Sequence, residues 1–222
     1  MLDPDELYFT SDNYKDLLDE LGDEIKAEDI AAREGNYIDA CDHGFKVWTC
    51  ILELIKMLEA KSIYDISNYG VTIYDLPYWA DGFADELSNA SRKDKSYLQK
   101  KLSFCQQYVE MHEDFSDKEL HNLGNVRSAL AEAFYQLGEK DRADSLYEKW
   151  LKDEPDWGWG WIAWSDCYWL WRHIGLKQDF EKAEQILRKG ISVKNVLNKK
   201  HIEERLNELL EEKSKPNDKT ND

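Results

Sequence analysis

The stretch Ala131-Glu132-Ala133-Phe134-Tyr135-Gln136-Leu137-Gly138-Glu139-Lys140-Asp141-Arg142-Ala143-Asp144-Ser145-Leu146-Tyr147-Glu148-Lys149-Trp150-Leu151-Lys152-Asp153-Glu154-Pro155 decides the fold. Two segments of helical period flank the turn-forming Gly138, and Pro155 closes the second of them. Trp161, Trp164, Ser165 and Tyr168 then open a second copy of the same unit, with Ser165 in the place of Ala131. Ala131 and Ser165 are small because the two helices of a unit cross closely there. Phe134, Tyr147, Trp161 and Tyr168 fill the space between units. A single helix pair of this kind does not bury its apolar face alone, so the pairs must stack.

Small Ala131 and Ala143, aromatic Phe134 and Tyr147, Gly138 and terminal Pro155 stand as they do in the tetratricopeptide repeat, a helix-turn-helix unit of about 34 residues. Trp161-x-x-Trp164-Ser165-x-x-Tyr168 resembles the opening W-x2-L-G-x2-Y of that repeat, with Trp for Leu and Ser for Gly. The run from Asp153 to Trp161, together with Trp164 to Trp169, resembles a subset of tetratricopeptide-like bacterial proteins, some of which end in a zinc-binding SEC-C module. The resemblance covers Tyr97 to Ile191 and extends weakly into the N-terminal third. No cysteine follows Cys167, so no metal role carries over. The resemblance implies an all-α, right-handed helical solenoid that serves as a protein-interaction scaffold.

Over the whole chain only four prolines and eleven glycines interrupt the sequence, and helical spacing dominates. Ser11 to Ala32 reads as a helix with Leu17, Leu18, Leu21, Ile25 and Ile30 at helical spacing, followed by a Gly35 turn and a second helix to about Ala60. Lys61 to Leu76 reads as an irregular break. Pro77–Ala90 and Asp94–Glu113 form a divergent pair in which Lys101 takes the place of a small residue. The expected organisation is one domain over 1–213, with units near 20–60, 77–115, 124–157 and 158–195. A C-terminal capping helix occupies 196–213, and residues 214–222, which carry no apolar side chain, form a disordered tail. Arg172 to Asp179 lengthens the turn of the last unit into a basic, glycine-containing loop.

Hydrophobic residues make up 42% of the chain and aromatics 13%, which suits a folded helical protein rather than a disordered one. The net charge of -17 repels phosphate backbones and anionic membranes, so nucleic acid and membrane are not expected partners. Acidic residues follow Met1 without a basic and apolar leader, and no apolar run reaches membrane length, so the expectation is a cytoplasmic protein. Cys41, Cys50, Cys105 and Cys167 are irregularly spaced without a C-x-x-C pair and read as reduced packing residues.

The five histidines have no metal-ligand spacing. Asp39 and His43, one helical turn apart, read as a helix-surface hydrogen bond. His112 ends a helix, where a histidinium would complement the carbonyl-rich terminus. No G-x-S-x-G serine, glycine-rich phosphate loop or D-x-D-x-D-G calcium loop is present, so no catalytic residue, cofactor or metal is assigned.

The feature that calls for a function is aromatic. Seven of the nine tryptophans fall between Trp150 and Trp171. On a helix from Trp159 to Trp171, Trp161, Trp164 and Tyr168 form a packing stripe, while Trp159, Ile162, Asp166 and Trp169 form a second stripe. With Asn125, Ser128, Glu132 and Tyr135 of the preceding unit, that second stripe is the expected partner-binding groove. It lacks the cluster of Lys, Arg and Asn that grips a C-terminal carboxylate in some chaperone-binding relatives. Acidic and aromatic lining suits a peptide or protein segment with basic or apolar anchors. The expected function is a non-enzymatic adaptor. The alternatives are a scaffold that buries the Trp159 stripe against its own copy, as a homo-oligomer, and a hydrolase whose carboxylate or histidine site carries no known motif.

Overall fold

The computed structural model describes residues 12–68, 70, 72–115, 122–170 and 177–215. Among these residues the protein is all-α, with ten helices packed in antiparallel pairs. They are α1 (Asp12–Arg33), α2 (Tyr37–Met57), α3 (Ile63–Asn68), α4 (Leu76–Lys93), α5 (Ser96–Met111), α6 (Leu123–Gln136), α7 (Lys140–Asp153), α8 (Gly158–Trp169), α9 (Phe180–Ser192) and α10 (Lys199–Ser214). Two compact units make up the chain, one spanning Met1–Glu113 and the other Asp114–Asp222. Among the described residues no helix is long and apolar enough to cross a membrane. The expected tail beyond 215 and the loop residues 171–176 lie outside the described residues.

The same device turns the chain in both units. Gly35 has φ of +74° after α1, and Gly138 has φ of +83° after α6. At the first turn Gly35 N–H donates to Ala32 O and Asn36 N–H to Ala31 O. At the second, Gly138 N–H donates to Tyr135 O and Glu139 N–H to Phe134 O. These paired bonds satisfy carbonyls that a helix end leaves without donors, and the left-handed residue in the middle favours glycine.

In the first unit α1 packs on α2, α2 on α4, and α4 on α5. Gly44 of α2 permits the approach of α4, since a Cβ there would lie 2.2 Å from the Phe83 ring. Phe83 meets Trp79 at 5.1 Å and Phe104 at 4.8 Å between ring centroids, and Trp48 meets Phe104 at 5.0 Å, which gives this unit an aromatic core. The segment expected to be an irregular break contains the short helix α3. Asp65 accepts from the Ser62 N–H at 2.9 Å while the Ser62 hydroxyl accepts from the Asp65 N–H at 3.2 Å. This reciprocal cap, with buried Ile63 and Ile66 behind it, is what makes so short a helix possible.

In the second unit each helix packs on the next, and α6 and α10 also pack on α8. The fully buried Ala131 and Ser165 mark the close crossings, as their size requires. Gly190 plays the same part in α9, where a Cβ would lie 2.7 Å from Trp161 Cγ. Asp144 of α7 holds α8 in place. Its carboxylate accepts from Trp164 Nε1 at 2.6 Å and from the Tyr168 hydroxyl at 2.5 Å, and Tyr147 one turn on stacks against Trp164 at 5.9 Å. Arg127 of α6 is buried against Glu154 at 2.6 Å and donates to Phe115 O, tying the start of this unit to the end of α7.

Trp164→Ala removes a buried ring and leaves Asp144 without one of its donors, so it should destabilise the protein by about 3 to 5 kcal/mol. Denaturant titration of the wild type and the variant measures the difference. An unchanged midpoint would exclude Trp164 from the core.

Candidate interaction surfaces

The eight residues expected to form a groove separate into two groups. Asn125 is exposed, Trp159 is 48% exposed, and Ser128, Glu132 and Asp166 are half-buried. Tyr135, Ile162 and Trp169 are buried at 1%, 3% and 5% exposure, which corrects the expectation that the second stripe faces open space. The reason is the number of neighbours. α8 packs against α6, α7, α9 and α10, so no single stripe can carry all its contacts. α10, expected only as an end cap, lies against the second stripe, with Arg205 Nε 3.5 Å from Asp166 Oδ1 and the His201 ring 5.2 Å from the Trp159 ring. Tyr135 packs on Tyr168 at 5.5 Å and Trp169 on Phe180 at 6.4 Å.

The face that remains is aromatic and acidic but small. Burial pushes the Asp166 carboxyl up to about 7, with Arg205 drawing it back down and Glu132 adding a like charge. Trp159 is its exposed ring. On the opposite side of α8, Trp161 and Trp164 are 2% and 4% exposed, as a packing stripe should be. They form the floor of a surface groove of about 440 Å³ lined also by Glu148, Leu151, Lys152, Pro155, Lys189 and Val193.

The titratable residues singled out from the sequence have structural partners. His43 Nδ1 bonds Glu24 Oε2 at 2.5 Å across α1 and α2, while Asp39 is 4.0 Å from its other ring nitrogen. His112 is fully buried with Nδ1 bonded to Tyr108 O at 2.7 Å, and burial lowers its pKa. Burial therefore works against the expected histidinium at the end of α5. All four cysteines are free and buried, and burial pushes the Cys41 thiol up to about 12 and Cys50 to about 11. Among the described residues no group of three or more His, Cys, Asp or Glu side chains is placed to hold a metal ion. His121 and His173 lie outside them.

Sequence reasoning missed one charged pair. Glu28 of α1 is 3% exposed and accepts from the Trp79 indole N–H, and its carboxyl lies within hydrogen-bonding reach of Glu86 of α4. Burial pushes both carboxyls well above the usual range. Glu86 and Asp29 reinforce this at Glu28, and Asp29 and Asp85 do so at Glu86. A buried carboxyl and a half-buried one side by side share a proton rather than ionise together. The signal was Glu28 itself, two helical turns beyond the buried Leu21 on the apolar side of α1.

No family model and no curated protein matches this chain.

A carboxyl held protonated above its ordinary value contributes stability that is complete below that ordinary value and is lost as the pH rises through the raised one. Thermal unfolding followed at tryptophan should therefore show the first unit most stable near about pH 5 and weaker near about pH 8.5. Glu28→Gln, which supplies an amide donor in place of the shared proton, should be roughly 1 to 2 kcal/mol more stable than the wild type at the higher pH and should flatten the profile. Parallel profiles for the two proteins would contradict the shared proton.

Proposed function

We propose that the chain is a non-enzymatic interaction scaffold, a tetratricopeptide-like right-handed solenoid that works in the cytoplasm and binds a segment of another protein. The observation that carries this reading is the packing order of the second unit. α6, α8 and α10 pack in succession while α7 and α9 each pack on the helices before and after them. A polypeptide built this way offers a continuous face of alternate helices, and repeat scaffolds use such faces for recognition. Here α8 contributes the half-exposed Trp159 and, two turns further on, Asp166, which feels the charge of Glu132.

The partner that suits it has a basic residue next to an apolar or planar one. The chain supplies an internal example of the contact, because Arg205 reaches Asp166 while His201 lies on Trp159. An incoming guanidinium would pair with the same carboxylates, and its neighbour would pack on the open side of the indole. Self-association is the second reading. It is favoured by Leu197, 46% exposed, whose carbonyl closes on Gly158 next to Trp159 and so enlarges the apolar patch.

Trp159 is now the discriminating position, since Trp169 is buried and its removal would unfold the protein. Trp159→Ala should leave the melting behaviour close to that of the wild type yet weaken binding of a co-purified partner by about 2 kcal/mol or more. Rising salt should weaken the complex further if the partner is basic. Titration of that partner against both proteins is the measurement, with sedimentation of the protein alone to reveal a homo-oligomer. Full binding by a folded Trp159→Ala protein would remove this face from the interaction.

A further inference from the structure

The groove on the other side of α8 has the opposite charge character. The chain carries 46 acidic residues against 29 basic ones, yet from Gln185 to Ile202 there is no Asp or Glu, while Arg188, Lys189, Lys194, Lys199 and Lys200 all fall there. This stretch forms the second half of α9 and the link into α10, and its Lys189 and Val193 make one wall of the groove. α7 supplies Glu148, Leu151 and Lys152 as the other wall, with Pro155 at one end.

The floor is dry in a chemical sense. Trp161 Nε1 donates to Pro155 O at 2.9 Å and Trp164 Nε1 to Asp144 at 2.6 Å, so both indole N–H groups are engaged and the rings present only apolar surface to the groove. Two of the three charged residues at the rim are basic, Lys152 and Lys189 against Glu148, so it is net cationic. Lys189 Nζ sits 5.4 Å from the Trp161 ring centroid and Lys182 Nζ 5.5 Å from that of Trp164. Among the described residues no carboxylate forms an ion pair with Lys152, Lys182 or Lys189. The Lys182 and Lys189 ammonium groups rest on aromatic faces, a contact worth about 0.5 to 1 kcal/mol at an exposed site. A carboxylate in a charge-assisted bond is a better partner.

We propose that the groove between α7 and α9 is a docking site for an acidic protein segment carrying a leucine- or phenylalanine-sized anchor. The anchor packs on Trp161 and Trp164 between Leu151 and Val193, and flanking carboxylates draw Lys152 and Lys189 off the rim. A basic segment meets like charge at the same rim. The inference rests on the packing of the second unit and not on the Trp159 face, so each can fail without the other.

The test is fluorescence anisotropy of the full chain with a labelled peptide of glutamates interrupted by two leucines. Comparison probes are the same peptide with lysine for glutamate, the same peptide with serine for leucine, and a single-stranded oligonucleotide of equal charge. The acidic leucine peptide should bind saturably and weaken with salt. It should lose about tenfold or more in affinity to the Lys152→Glu, Lys189→Glu double variant and bind Trp159→Ala as it binds the wild type. Both lysines are exposed, so thermal melts of the double variant should match the wild type and exclude misfolding as the cause. Four results would overturn the proposal: no saturation by about 1 mM peptide, equal affinity in the double variant, equal binding of the serine peptide, or preference for the lysine peptide or the oligonucleotide.

Discussion

The Asp144 carboxylate, accepting at once from Trp164 and Tyr168, is the constraint on which the second unit depends. Its two donors sit one helical turn apart on α8, so a single side chain of α7 fixes both the position and the rotation of that helix. Once α8 is set, Trp161 faces Gly190 of α9, and Trp159 and Asp166 face His201 and Arg205 of α10. A half-buried carboxylate loses part of its hydration and needs its lone pairs matched, and here two aromatic donors match them. The Tyr147 ring stacks on Trp164 beside it.

How much of this was legible in the sequence follows from what each signal encodes. Gly35 and Gly138 announced helix ends because only the left-handed conformation closes those turns, and both proved to have positive φ. Small Ala131 and Ser165 announced close crossings because a larger side chain cannot fit. Helical spacing also divided α8 correctly into two stripes. It did not reveal that α10 would cover one of them, because periodicity says which residues share a face and not how many helices surround it. Nor did it reveal that Tyr135 would pack on Tyr168 and Trp169 on Phe180 of α9, so Tyr135, Ile162 and Trp169 are buried rather than exposed. α3 was overlooked because its two buried isoleucines are too few to show a period, although the Ser62–Asp65 cap was present to be read. Glu28 escaped because an acid on an apolar stripe is ordinarily assigned to the wet side.

The two sides of α8 differ in chemistry although one helix supplies both. Trp159, with Glu132 and Asp166, forms an acidic aromatic face, whereas Trp161 and Trp164 lie at the bottom of a groove edged by lysines. A net charge of -17 makes the first typical of the whole surface and the second an exception to it. Tryptophan serves both purposes here because its ring fills space and its N–H is a single donor that one backbone or carboxylate oxygen can satisfy.

Native-state amide hydrogen exchange tests the central place of α8 most directly. Because α8 packs on four other helices, its backbone amides should open only with global unfolding of the second unit and should be the slowest there, while those of α10, held by α8 and α9 alone, exchange sooner. Exchange in α8 as fast as in α10 would contradict an account in which every other helix of the unit is placed by this one.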